Sequence, residues 1–279
     1  MPDTAQDVSQ KAAASETAYI TEAATGLNYY ELSHPWGHHT PIHPGFKDTI
    51  MYRAVMIAEN GVMSQRIKMT MHGTTHVNAP LHLISGAAGI GEVALDRFFG
   101  SGPVISIKKA RWELITAVDL EQSGVEVGKG DIVILNTGWH HGYSDSQEYF
   151  GHAPGMAVDA AEWLVDKQVK MVGVDTPNID HPMATLLGEH RKGPHMRRLP
   201  KYYRDETGKD PKQEFPDFAP AHKTLLRAGI PTIENVGGAL DALNGQRSTF
   251  HAMPWKWPEG DACVIRLVAF QDPNQTYRI

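Results

Sequence analysis

The sequence holds few of the features that would place it in a membrane, on nucleic acid or among disulfide-bonded proteins. Cys263 is the single cysteine in 279 residues, which excludes an intrachain disulfide and a zinc site built from several thiolates. No apolar run approaches the roughly 20 residues that span a bilayer. The N-terminus lacks the basic and then apolar layout of a secretory signal. We therefore expect a cytoplasmic protein with no membrane partner.

The charge balance points away from polyanionic partners. Asp and Glu number 32 against 26 Lys and Arg, a formal net charge of -6, so nucleic acid is not an expected partner. Hydrophobic residues make up 41% and charged residues 21% of the chain, as in a globular protein with a substantial core. We expect residues 1–27 to be an N-terminal extension and residues 28–279 to form a single domain.

Apolar patterning predicts alternating strands and helices, and hence an α/β fold. Strands over 49–58 and 62–71, joined at Asn60-Gly61, form a predicted hairpin whose second strand ends at His72. The remaining predicted elements are strands at 104–107, 131–135, 169–174, 230–234 and 262–270, and helices at 157–168 and 221–228.

Residues 183–220 interrupt this pattern, with five prolines after Pro182 and little periodicity, and predict a long inserted surface loop. Its basic residues either recognise a substrate carboxylate or a neighbouring subunit, or belong to a solvated loop of mixed charge. They are Arg191, Lys192, Arg197, Arg198, Lys201 and Arg204.

Three histidines within eleven residues form the main candidate site. His72, His76 and His82 lie in a segment rich in Gly, Thr and Pro, together with Asn78. Imidazole is a good ligand for zinc, manganese or iron, and a bound metal ion lowers the pKa of water toward about 7. The alternative is that these are separate loop histidines that make ordinary hydrogen bonds.

This segment resembles the HxGTHxDxPxH signature of the cyclase family of metal-dependent hydrolases, which includes bacterial kynurenine formamidase and isatin hydrolase. The resemblance extends in order over about residues 28 to 270. Its further motifs are Glu31-Leu32-Ser33, Thr137-Gly138-Trp139, Val172-Gly173-Val174-Asp175-Thr176, His222-Lys223-Thr224-Leu225-Leu226, Glu234-Asn235, Phe250-His251-Ala252-Met253-Pro254 and Val264-Ile265-Arg266.

The resemblance implies the fold and a role for each matched residue. It implies a swivelling β/α/β domain with mixed β-sheets that assembles as a homodimer or homotetramer. The implied metal ligands are His72, His76, Asn78, His222 and Glu234. His82 is the implied catalytic acid/base, and the expected cofactor is a divalent metal, Zn or Mn. Trp36 and Trp139 are candidates for substrate binding, with core packing as the commoner use of such residues.

Two departures from the signature affect the metal site. Asn78 stands where the family has Asp, and the signature glycine is shifted by one, so that Thr74 follows Gly73. A neutral carboxamide compensates less cationic charge than a carboxylate does, which predicts one tightly held metal or a weak second one. The added Cβ crowds a backbone that is expected to be tight, and a degenerate member is the outcome if that backbone cannot adapt.

The reaction that the resemblance implies is attack of metal-activated water on the carbonyl of a small cyclic or aryl amide, with His82 moving the proton. A cyclic imide or a lactone is the alternative substrate. A non-catalytic metal- or ligand-binding relative is the alternative of another class, which the loss of an acidic residue at position 78 keeps open.

Overall fold

A computed structural model of the chain describes residues 18–185, 187 and 194–277. The strands are β1 (Ile20–Thr21), β2 (Asn28–Glu31), β3 (Ile50–Val55), β4 (Ser64–Lys68), β5 (His76–Asn78), β6 (Phe99–Ser106), β7 (Leu114–Ile115), β8 (Ile132–Asn136), β9 (Gly155–Met156), β10 (Met171–Val174), β11 (Thr232–Glu234), β12 (Arg247–His251), β13 (Ala262–Val264) and β14 (Val268–Gln271). The α-helices are α1 (Ile57–Asn60), α2 (Ala117–Gln122), α3 (Gln147–Gly151), α4 (Val158–Asp166), α5 (Pro194–Arg197), α6 (Leu199–Thr207), α7 (Pro211–Glu214) and α8 (Pro220–Arg227).

Ten strands form one mixed sheet in the order β1-β2-β14-β12-β6-β8-β10-β11-β5-β13. Its centre, from β6 through β8 and β10 to β11, is parallel, and the strands on both sides are antiparallel. Parallel strands need crossover connections, and helices α2, α4 and α8 lie in those connections. The predicted mixed α/β fold is confirmed.

The central strands are buried on both faces. Along β8, Ile132 and Ile134 pack into one apolar cluster while Val133 and Leu135 pack into another. The second cluster also holds Leu164 of α4 and further apolar residues of α8. Side chains alternate along a strand, so a strand covered on both faces is an almost continuous apolar run. Residues 132–135 of β8 form such a run.

The predicted hairpin is confirmed, with shorter strands and a different turn. Strands β3 and β4 pair antiparallel, but α1 occupies the turn and Gly61 ends it with a left-handed φ of 71°. Glycine adopts that conformation without a Cβ penalty. Strand β4 ends at Lys68, so the prediction that His72 ends this strand was wrong. His72 lies in the turn region that follows it.

The described part of the predicted loop at 183–220 contains α5, α6 and α7. Leu199 and Tyr203, four residues apart on α6, pack with Leu187 and Met196 in a third apolar cluster. On the surface, Lys201 pairs with Asp205 and Arg204 lies 4.0 Å from Asp210. Arg191 and Lys192 lie outside the described residues.

At the N-terminal end, β1 pairs with β2, so the described part of the predicted extension adds an edge strand to the sheet. Residues 1–17 of that extension lie outside the described residues. Among the helices of the described ranges, none is long and apolar enough to cross a membrane. The cytoplasmic location stays a prediction.

Candidate metal centre

Strand β5 lies between β11 and β13, and its register places two predicted ligands beside two residues of β11. His76 pairs with Glu234, and Asn78 pairs with Thr232. Val77, between them, points to the opposite face and packs in the apolar core. The alternation of side chains along the strand therefore brings His76 and Asn78 to the same face of the sheet.

His72 and His82 reach this face from the two segments that flank β5. Their ring centroids lie 4.3 Å apart, and the His72 ring lies 5.2 Å from that of His76. Asp261, just before β13, joins them: its Oδ2 is 2.7 Å from His72 Nε2 and 3.7 Å from His82 Nδ1. The three residues place one potential metal-binding atom each within 4.8 Å of one another.

His222 enters from the N-terminus of α8. Its Nδ1 lies 3.8 Å from Glu234 Oε1, and its Nε2 lies 2.7 Å from Thr232 Oγ1. The helix is anchored by buried Asp180, whose carboxylate accepts from the backbone N–H groups of Ala221 (2.8 Å) and His222 (3.1 Å). A carboxylate at a helix N-terminus satisfies N–H groups that have no partner within the helix. Asp180 thereby fixes the position of His222.

Two buried atoms at the centre of this cluster lack hydrogen-bond partners among the described residues. They are His76 Nε2 and Asn78 Oδ1. His76 Nε2 lies 3.1 Å from Glu234 Oε2 without the alignment of a hydrogen bond. Buried polar atoms are nearly always satisfied, and imidazole nitrogens with carboxylate and carboxamide oxygens are suitable donors for Zn²⁺ or Mn²⁺. The residues present therefore fit a divalent metal.

The electrostatics of the cluster favour neutral imidazoles and an ionised glutamate. Burial lowers the pKa of His222 to about 3, against the attraction of Glu234. Burial also lowers the pKa of His72, partly opposed by its hydrogen bond to Asp261. Burial alone would raise the pKa of Glu234, but contacts with His76 and His222 hold it well below its usual range. Neutral imidazole and ionised carboxylate are the forms that bind metal.

Thr74 occupies the position where the signature has glycine, and its φ is 55°. A β-branched residue is strained in this left-handed region, which glycine adopts freely. The conformation turns the Thr74 carbonyl toward His76 Nδ1 (2.8 Å) and Asn235 Nδ2 (3.0 Å). That hydrogen bond fixes the proton on Nδ1 and leaves Nε2 of His76 available as a ligand. Because Thr74 stands at the glycine position of the signature, the residue that orients His76 has a strained backbone.

A cavity of about 270 Å³ opens over the cluster. Its polar lining includes His72, His82, His222 and Glu234, and its apolar lining includes the rings Phe46, Phe150 and Phe218. His76 and Asn78 lie beneath it, almost completely buried. Phe46 stacks on His72, with ring centroids 5.5 Å apart and planes 11° from parallel.

Neither predicted tryptophan is among the described residues that line this cavity. The Trp139 indole donates to the Tyr149 carbonyl at 2.9 Å and packs against the third apolar cluster. The Trp36 side chain lies beside Gly73: its Nε1 is about 4.0 Å from the position that a Cβ on Gly73 would take. Substrate binding by these two residues stays a prediction.

Sequence reasoning missed Asp261 and Asp180. Asp261 reaches the site because β13 pairs with β5, a contact between segments about 180 residues apart that no local pattern reveals. A weak signal exists for Asp180, because it follows β10 closely. Residues just beyond the carboxyl ends of parallel strands commonly line sites.

Comparison with known proteins places the chain in a family and matches its fold. The model of the cyclase family, described as "Putative cyclase", matches residues 30–181. The kynurenine formamidase of Bordetella avium is 28% identical over 245 residues, which cover 86% of this chain and 96% of that protein. The kynurenine formamidase of Bordetella pertussis is 29% identical over 164 residues, 58% of this chain and 75% of that protein.

Among solved structures, isatin hydrolase A from Labrenzia aggregata superposes with a TM-score of 0.69 at 20% identity. The match covers 89% of this chain and 95% of that one, and it supports the fold. The resemblance to the cyclase family, which the sequence motifs predicted, is confirmed. Because the family model matches more than half of the residues of this chain, the chain belongs to the cyclase family.

Proposed function

We propose that this protein is a metal-dependent hydrolase of a small aryl or cyclic amide. The observation that carries the proposal is the convergence of His72, His76, His222 and Glu234, with two orphaned buried atoms, below a cavity lined by aromatic rings. The match to kynurenine formamidases over most of the chain supports the same reaction class.

The metal would be held by His72, His76 and His222 through imidazole nitrogens, by Glu234 through its carboxylate and by Asn78 through Oδ1. Because Asn78 is neutral, we infer one tightly bound divalent metal, Zn or Mn. Asp261 adds an acidic group beside His72 and His82, and so restores part of the negative charge that position 78 lacks.

When bound, a divalent metal supplies a polarised carbonyl and a water of lowered pKa. His82 moves the proton: it takes one from the attacking water and gives it to the leaving nitrogen as the C–O bond forms and the C–N bond breaks. Asp261 Oδ2 lies 3.7 Å from His82 Nδ1, which is within the range of an ion pair. A carboxylate near a catalytic histidine stabilises the imidazolium that forms during proton transfer.

The cavity walls select the substrate. Phe46, Phe150 and Phe218 offer flat apolar contacts, and Asn178, Asn235 and Thr74 add a few polar groups. Pockets for small molecules commonly combine an apolar lining with few polar groups that fix orientation. An aromatic or fused-ring amide fits this combination.

The test is hydrolysis of N-formylkynurenine, isatin, a cyclic imide and a lactone by chelated protein and by protein resupplied with Zn²⁺ or Mn²⁺. We expect metal-dependent turnover of an amide, with kcat lower by about 10²- to 10⁴-fold in His82→Ala. His38→Ala, at an exposed histidine outside the cavity lining, is the matched control.

Other outcomes separate the alternatives. Turnover of the imide or the lactone alone would replace the amide by that compound class as the substrate, while the protein would still be a metal-dependent hydrolase. A metal-loaded protein that hydrolyses none of the four compounds would favour a binding relative over an enzyme.

We also propose that a second copy of the chain covers the β3–β4 hairpin, giving a homodimer or homotetramer. None of the described residues of β3 and β4 is buried, and an isolated two-stranded hairpin is marginally stable. Groups of exposed apolar side chains mark interaction sites, and the hairpin carries such side chains on both of its faces and at its turn. They are Ile50, Tyr52, Ile57, Val62, Met63 and Ile67.

Sedimentation velocity tests this assembly. We expect an oligomer for the parent chain and a smaller species for Ile57→Glu/Val62→Glu, while Leu95→Glu, at an exposed apolar residue elsewhere, leaves the mass unchanged. A monomeric parent chain refutes the proposal.

A further inference from the structure

We propose that His140, His141 and Asp241 form a second metal site, for a divalent transition ion such as Zn²⁺. Their ligand atoms lie within 4.8 Å of one another. Nε2 of His141 is 2.8 Å and Nε2 of His140 is 3.8 Å from the same oxygen, Asp241 Oδ2. The cluster shares no residue with the candidate metal centre, and the proposal does not rest on the proposed function.

His140 is held in a metal-binding orientation from behind. Its Nδ1 lies 3.0 Å from Oδ2 of Asp175, which is completely buried. Asp175 also accepts from the backbone N–H and the hydroxyl of Thr137. A carboxylate can only accept from the ring, so Nδ1 carries the proton and the lone pair of Nε2 faces Asp241. This carboxylate–imidazole–metal arrangement orients ligands in many metal sites.

Asp241 is held in the same way from its own side. The buried side chain of Asn136, at the end of β8, donates to Asp241 Oδ1 at 2.8 Å. That bond occupies one carboxylate oxygen and turns Oδ2 toward the two histidines. Two buried groups, Asp175 and Asn136, therefore pre-position two ligands, and neither is required by the chemistry at the candidate metal centre.

The third ligand and the entry path come from the surface. His140 and His141 are consecutive residues of a single 3₁₀ turn, Trp139–Gly142, and His141 is 61% exposed. Two imidazoles and one carboxylate suit Zn²⁺ and other transition ions better than Mg²⁺ or Ca²⁺, which prefer oxygen. Solvent completes the coordination on the exposed side.

Lys108 is the charged group that opposes a cation here. Its Nζ lies beside Gly138, the residue just before the turn that holds His140 and His141, about 3.0 Å from the position that a Cβ on Gly138 would take. Replacing Lys108 by Met removes a nearby positive charge. We therefore expect Lys108→Met to tighten Zn²⁺ binding at this site by about twofold, the scale of an exposed charge interaction.

The experiment is equilibrium dialysis of untagged full-length protein against micromolar Zn²⁺, with the bound metal measured by mass spectrometry. His141→Ala/Asp241→Asn should bind one equivalent less than the parent chain, whereas His76→Ala should keep the equivalent that the double variant loses. His38→Ala and Asp96→Asn, both at exposed residues outside the two clusters, are matched controls.

Nuclear magnetic resonance of ¹⁵N-labelled histidine locates the ion. Zn²⁺ should shift the Nε2 resonances of His140 and His141 in the His76→Ala protein, in which the candidate metal centre is impaired. Equal zinc content in the parent chain and in the folded double variant overturns the proposal. Unchanged His140 and His141 resonances at saturating zinc overturn it as well.

Discussion

Asn78→Asp tests how the metal centre compensates charge, because it restores the carboxylate of the family signature. Asn78 is completely buried, and among the described residues its side chain makes one hydrogen bond, to Thr232 Oγ1, which is long at 3.4 Å. Little hydrogen bonding is therefore lost on substitution. Asn78 pairs with Thr232, and His76 pairs with Glu234, two residues further along β11. The new carboxylate would therefore lie near Glu234 on the same face of the sheet.

Asn78→Asp should destabilise the metal-free protein and should strengthen metal binding. Without metal, burial beside an ionised Glu234 would raise the pKa of the new carboxyl, and a rise of about 2 units corresponds to about 3 kcal/mol lost at pH 8. With metal, the second carboxylate offsets the cation's charge. We expect the dissociation constant for Zn²⁺ to fall about 10- to 100-fold, which is about 1.4 to 2.7 kcal/mol.

Urea denaturation at pH 8, in chelator and in excess Zn²⁺, measures the first effect, and calorimetric titration measures the second. Asn274→Asp, at an exposed residue after β14, controls for added charge. If Asn78→Asp leaves both the metal-free stability and the zinc affinity unchanged, position 78 does not face the metal and the reasoning is wrong.

Three further predictions follow from the same geometry. Thr74→Gly should raise the free energy of unfolding, measured in urea, by up to about 1 kcal/mol, because relief of left-handed strain exceeds the entropy that glycine costs. Thr74→Ala, which keeps a Cβ, should raise it less, and a clear fall in the glycine variant contradicts the strain argument. Burial lowers the pKa of His181 to about 3 against its hydrogen bond to the Trp112 carbonyl, and its Nδ1 accepts from Met183 N. The stability that neutral His181 contributes is present above pH 6.5 and is lost as the pH falls toward 3. His181→Gln should therefore reduce the loss of unfolding free energy between pH 6 and 4 by about 1 kcal/mol per pH unit. The same slope in the parent chain and in His181→Gln refutes this prediction. Removing a metal present at 100 times its dissociation constant should cost about 2.7 kcal/mol, or a fall in Tm of roughly 5 to 10 °C in a thermal scan with chelator; an unchanged Tm contradicts metal binding to the folded state.

Much of the candidate site could be predicted from local sequence. His72, His76 and His82 are close in the chain, and a helix followed by a strand returns His222 to the side of Glu234. Such relations depend on short segments, whose period and turn chemistry can be read directly. The strands at the centre of the sheet could equally be predicted, because they are short apolar runs separated by a helix.

The remaining features depend on contacts between distant segments. Asp261 reaches His72 only through the pairing of β13 with β5, and pairing register between distant strands is not encoded in either strand alone. The aromatic lining of the cavity shows the same limit, because Phe46, Phe150 and Phe218 come from distant parts of the chain. Helices α5 to α7 were missed because their short apolar stripes are interrupted by prolines and charges.

The most direct test of the central claim is turnover of an aryl or cyclic amide as Zn²⁺ or Mn²⁺ is titrated back into chelated protein. The account predicts negligible activity without metal and a rise that saturates as the centre at His76 and Glu234 fills, with the rise absent in Glu234→Gln. Full activity in the chelated protein, or an equal rise in Glu234→Gln, would contradict it.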